Sequence, residues 1–241
     1  MLDLVFDKKY KNAETLKIPA FLLYRQRTKS VDNKNINFTT YRLCMKNIII
    51  FAPEVKMNNM TFDKITEDGR LWAVRYDGAE DNILVTIFEQ WNDIQWLREF
   101  FKTNIDDLMS YFKITDVNEA IYDTLDDSDR LECLILDISP DADLDKLFRP
   151  LENYCINECV LGKEKARIKN RPNHDSWLRI YAIKLEPGKY IVTGGAIKLT
   201  ATMREREHTL RELFNMEKVR QFLIDNNVID GDAFVDYLSE L

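Results

Sequence analysis

The sequence predicts an α+β protein: a small antiparallel β-meander packed against several helices, with an acidic helical pair before the meander. Three observations carry this. Apolar residues recur at helical spacing through residues 88–112 and again through 116–138. Trp177 to Leu185 alternates apolar and polar residues, reaches Glu186-Pro187-Gly188-Lys189, and resumes at Tyr190-Ile191-Val192-Thr193. Hydrophobic residues make up 45% of the chain and aromatics 11%, enough to build a sizeable core.

Taken in order, Lys46 to Phe51 is β-branched and aromatic and reads as a strand or a buried extended segment. Leu71-Trp72-Ala73-Val74-Arg75-Tyr76 alternates before the turn signal Asp77-Gly78. Phe88, Trp91, Trp96 and Phe100 trace the stripe of one helix ending at Phe112, widened by Leu97, Phe101, Ile105 and Leu108. A second helix runs from Asp116 to Ile138 with Val117, Ile121, Leu125, Leu131, Leu134 and Ile135 inward. Asp116 and Glu119 make its capping box, and Pro140 ends it.

A short piece, residues 143–148, leads to Pro150, and Leu161 to Arg167 reads as a turn and a basic connector. After Thr193, Gly194-Gly195 permits a bend or bulge before a third strand, Ala196 to Leu199. A helix from Thr209 to Asn226 turns Leu210, Leu213, Phe214, Val219, Phe222 and Leu223 inward, and a short helix from Gly231 to Leu241 follows.

Charge divides the chain. Residues 1–44 carry +5 and the remaining 197 carry -12, for a net charge of -7. The first segment has no sustained period of two or 3.6. The expectation is therefore a single α+β domain over 45–241, with 1–44 a poorly ordered extension or sequence upstream of a start at Met45. An N-terminal arm docked on the body is the competing reading. Apolar runs such as residues 48–53 are far short of the roughly 20 residues that a spanning helix needs, so no membrane is expected. The cysteines Cys44, Cys133, Cys155 and Cys159 lack paired metal spacing and read as reduced thiols of a cytoplasmic protein. No metal and no cofactor are expected.

Glycine-rich phosphate loops, nucleophile elbows, His-Glu-x-x-His and calcium loops are absent from the sequence. The informative feature is electrostatic. Residues 161–209 hold 11 Lys/Arg against five Asp/Glu, a +6 stretch inside the acidic body. Lys163, Lys165, Arg167, Lys169 and Arg171 form the connector, while Arg179, Lys184, Lys198, Arg204 and Arg206 sit on or beside the meander. Gathered on one open face, they would attract phosphates. Paired instead with Asp123, Asp126, Asp127 and Asp129 of the acidic helix, they would leave nothing to attract.

The succession Lys165-Ala166-Arg167, Trp177-Leu178-Arg179-Ile180-Tyr181, Tyr190 to Thr193, Ala196 to Thr200, Arg206 to Thr209 and a closing helix resembles the RelE/HigB/ParE superfamily of bacterial toxins. The resemblance covers roughly residues 160–225 and implies paired helices before an antiparallel meander and a helix after it. It aligns Arg167 with the basic residue of the first core strand, Arg179 with the arginine of the second, and Lys198 with the lysine before the loop. It also implies metal-free transesterification of RNA on the ribosome, or translation blocking, with a partner antitoxin. Arg179 and Lys198 would then stabilise the phosphate and His208 or Tyr181 would act as acid or base, while Lys165, Arg167, Lys169 and Arg204 bind the chain. The alternative is a non-enzymatic protein-binding or accessory module encoded by a bacterial mobile element.

Overall fold

The computed structural model describes residues 60–136, 144–151, 161–168 and 174–240. The expected strand at Lys46 to Phe51, the boundary at Met45, the helix end at Pro140 and the candidates Lys169 and Arg171 lie outside them. The described chain is α+β, built on a six-stranded sheet ordered β1-β2-β6-β5-β4-β3. Its strands are β1 (Thr61–Lys64), β2 (Leu71–Arg75), β3 (Phe148–Pro150), β4 (Gly162–Ala166), β5 (Leu178–Glu186) and β6 (Lys189–Ile197). All neighbours are antiparallel except β2 and β6, which run parallel.

The long helix expected to end at Phe112 is several elements. Helix α1 (Ile83–Asn92) gives way to α2 (Ile94–Thr103) because Asp93 turns its carboxylate onto the N–H groups of Gln95 and Trp96 and caps a new helix. A short α3 (Ile105–Asp107) then opens into a π-helix, Leu108–Phe112, stopped by Lys113 at φ 62°. Helix α4 (Val117–Leu136) begins where expected, and Asp116 accepts from the N–H of Asn118. Helices α5 (Leu144–Leu147), α6 (Glu207–Asp225) and α7 (Gly231–Ser239) complete the set.

The meander differs in one strand. The chain does not bend at Gly194-Gly195 into a third strand; β6 continues to Ile197, and the register slips so that Tyr181 faces Gly194 while Ala182 faces Val192. Of the bend or bulge allowed for there, the bulge is what forms, with Thr193 as the extra residue. The third antiparallel strand is β4, expected as a connector, whose Lys163 and Lys165 alternate with the buried Glu164 and Ala166. Glycine is needed at the bulge because helices press on both faces. A Cβ on Gly194 would lie 1.9 Å from Oε2 of Glu212 on α6, and one on Gly195 would lie 2.9 Å from Cδ1 of Ile87 on α1.

The sheet is thus the middle of three layers. Leu178, Ile180, Ala182 and Val192 face α1, α2 and α4 through Ile87, Trp91, Leu97, Phe101 and Leu131. Tyr181, Ile183 and Ile191 face α6 and α7 through Met216, Val219, Leu223 and Phe234. Each fully buried aliphatic or aromatic side chain stabilises by about 1.5–3 kcal/mol. Leu134 and Phe214, expected inward, are exposed instead, and the buried stripe of α6 is Thr209, Glu212, Met216, Val219 and Leu223. Among the described residues, no helix is long and apolar enough to cross a membrane.

Candidate functional site

The two-residue period of strands decides which basic side chains meet. On β5, Arg179 shares the face of Tyr181, the α6 side. Lys165 stands opposite Tyr181 on β4, and Ala196, opposite Arg179 on β6, puts Lys198 two residues on at the same strand end. Lys198 remains in line because its N–H donates to the carbonyl of Trp177 at 2.8 Å. Arg167 follows the end of β4 beside the start of β5. Lys165, Arg167, Arg179 and Lys198 therefore collect at one end of one sheet face.

The way they are held is informative. Arg179 donates from Nη1 to the carbonyls of Ser176 and Leu178, the latter at 2.7 Å. Lys165 Nζ donates to the carbonyl of Leu151 at 2.8 Å, and Lys198 Nζ to the carbonyls of Thr200 at 2.6 Å and Ala201 at 2.8 Å. Among the described residues, none of these three forms an ion pair with a carboxylate. Burial pushes Arg179 down to about 10, helped by the charge of Arg167, while Tyr181, Asp175 and Asp127 pull the other way. Burial, then the charge of Arg179, lowers both Lys165 and Lys198. Like charges in mutual repulsion, partnered by neutral carbonyls, form a site that an anion would relieve.

The other candidates are placed differently. Arg167 pairs with Asp175 at 2.8 Å yet still presses on its cationic neighbours. Arg204 is exposed on the loop after Lys198. Tyr181 is 1% exposed, its hydroxyl meets no hydrogen-bond partner among the described residues, and burial raises its pKa. His208, in the first turn of α6, faces the carbonyl of Ile197 through Nε2 at 2.9 Å and sets its ring edge-on to Phe100. Burial lowers its pKa, and because a carbonyl oxygen can only accept, Nε2–H is the donor. His174 lies elsewhere, stacked 4.5 Å from Trp177 with Nε2 2.8 Å from Asp123.

One acidic residue of this face went unnoticed in the sequence. Glu212 is 7% exposed, lies over Gly194 and has an Oε2 with no hydrogen-bond partner among the described residues. Burial raises its pKa to about 7. The signal was available: Glu212 falls on the three-and-four spacing of Thr209, Met216, Val219 and Leu223.

Besides Arg167, other cations of the stretch are paired off among the described residues. Lys163 meets Glu217 at 3.0 Å, Lys184 meets Asp145 at 2.6 Å, and Arg130 meets Asp126 at 3.7 Å. No family model matches this chain, and neither does any curated protein or solved structure.

Proposed function

We propose that the cationic end of the sheet binds the phosphate backbone of RNA and that the protein acts as a toxin-like blocker of translation, restrained by an antitoxin partner. The observation that carries this is the trio Lys165, Arg179 and Lys198, held on one face by carbonyl oxygens. Carbonyls orient a cation without cancelling its charge, so the field at the strand ends is available to an external anion. Binding is better supported than cleavage. Of the two acid–base candidates, Tyr181 is enclosed and the Nε2 of His208 is engaged by a backbone carbonyl.

The test is fluorescence anisotropy of the full chain with a labelled single-stranded RNA across a salt series. Wild type is expected to bind with a steep salt dependence. Arg179→Ala and Lys198→Ala are each expected to weaken binding about tenfold and to reduce the slope by about 0.7 per lost phosphate contact. Induced expression of the full chain would arrest growth and Arg179→Ala would not. RNA affinity unchanged in both variants would end the reading.

A second reading, a protein-binding module, is favoured by the outer side of α4. There Tyr122 is 72% exposed. Tyr122→Ala should then abolish capture of a co-expressed partner and leave RNA affinity unchanged.

A further inference from the structure

The loop that carries Lys198 away from the sheet is gripped from the opposite helical layer, at an unusual point. Helix α3 ends at Asp107 and the chain continues as the π-helix Leu108–Phe112. Such segments are rare and frequently mark functional positions. This one is anchored by the fully buried Leu108 and by Phe112, whose ring meets Trp177 edge-on at 5.2 Å. Two side chains four residues apart, Asp107 at the end of α3 and Tyr111 in the π-helix, reach the loop.

Asp107, 6% exposed, accepts two parallel bonds from Arg206, from Nε at 2.6 Å and from Nη2. Tyr111 donates its hydroxyl to Oε2 of Glu205 at 3.1 Å, and Oε1 of Glu205 accepts the N–H of Thr202 at 2.6 Å. The next links are the carbonyls of Thr200 and Ala201, which are the two acceptors of the Lys198 ammonium. A two-point guanidinium–carboxylate grip fixes orientation as well as distance. The carboxylate of Asp107 is buried while the Arg206 side chain is 45% exposed, so the pair adds modest net stability and what it chiefly supplies is orientation.

We infer that the Asp107–Arg206 grip, with Tyr111–Glu205 beside it, sets the position of the Lys198 ammonium at the anion site. Asp107 is on this view a positioning residue that never touches the ligand. The inference rests on the phosphate reading above and deepens it.

Two simple expectations have opposite signs. Removing an acid beside a cationic site would, by charge alone, tighten binding of a polyanion. Losing the grip loosens it. The full chain is titrated with labelled single-stranded RNA as wild type, Asp107→Asn, Arg206→Lys, Lys198→Ala and Asp107→Asn/Lys198→Ala, with a melting curve for each.

Asp107→Asn is expected to bind about fivefold more weakly than wild type, and to add nothing in the Lys198→Ala background. Arg206→Lys, which keeps the charge and loses the two-point geometry, is expected to weaken binding in the same direction. Unchanged or tighter binding by Asp107→Asn, with Lys198→Ala still weakened, would overturn the grip and leave the phosphate reading standing. So would equal weakening by Asp107→Asn in both backgrounds, which marks a general structural role. If Asp107→Asn fails to fold, Arg206→Lys decides alone. RNA affinity unchanged in Lys198→Ala and Arg179→Ala removes the phosphate reading itself.

Discussion

Lys163 and Lys184 lie on the same two strands as Lys165 and Arg179, yet the two pairs are held in different ways. Where β4 begins, Lys163 meets Glu217 and Lys184 meets Asp145, which also accepts the hydroxyl of Tyr190. Where β4 ends, Lys165, Arg179 and, beyond β6, Lys198 meet only carbonyls among the described residues. A carboxylate neutralises its partner, whereas a carbonyl dipole aims it and leaves the charge in place. The first end is finished as a structure. The second has charge left over, and that asymmetry makes it the candidate site despite an acidic chain.

Three experiments break or sharpen the contrast, the largest effect first. Each region holds one acid that burial keeps protonated up to about 7: Glu164 near Lys184 and Asp145, and Glu212 over Gly194. An acid with a raised folded pKa binds its proton more tightly when folded. Stability from Glu212 is therefore present below about 4.5 and is lost as pH rises to about 7, by on the order of 3 kcal/mol. Arg211 is the cation nearest its carboxylate, 3.8 Å away and largely exposed. Glu212→Gln should flatten urea stability between pH 5 and 8 and raise it at pH 8. Glu164→Gln should flatten the slope by a similar amount, because burial lifts its carboxyl to about 7 even with Lys184 nearby. An undiminished pH slope in Glu212→Gln would refute the assignment.

Next, inorganic phosphate should raise the melting temperature of wild type more than that of Lys198→Ala. At ten times the dissociation constant the gain is about 1.4 kcal/mol. General salt effects act on both proteins alike, so equal shifts would mean no site. The smallest effect separates the two ends directly. Lys184→Ala should cost about 1 kcal/mol in urea unfolding and leave RNA affinity unchanged, because its half-exposed ion pair is structural. Lys198→Ala should leave stability unchanged or slightly higher, since repulsion is relieved, while affinity falls.

Much of the architecture was legible because period and burial coincide. Trp177 to Leu185 alternates, and the structure buries both of its faces in different cores. The collection of Arg179 and Lys198 on one face follows from the same period. Strand β4 was missed because Lys163-Glu164-Lys165 carries charges on both faces, so apolar alternation could not reveal it. Strand β1 hid in a polar stretch for the same reason. The break at Asp93 was overlooked because the apolar stripe continues across it, although the capping residue was in plain view. The fates of Tyr181, His208 and Glu212 depend on helix α6 lying across the sheet. That is a tertiary fact, which no local pattern encodes.

At Gly195 the sheet is only a backbone thick. A methyl group there would press on Ile87 from one helical layer and on the carbonyl of Arg179 within the sheet, 3.1 Å away, while its neighbour Gly194 already touches the layer on the far side. The two hydrophobic cores are consequently not independent compartments. A substitution that swells one is transmitted to the other, and to the strand that orients Arg179, through a partition with no side chain to absorb the strain.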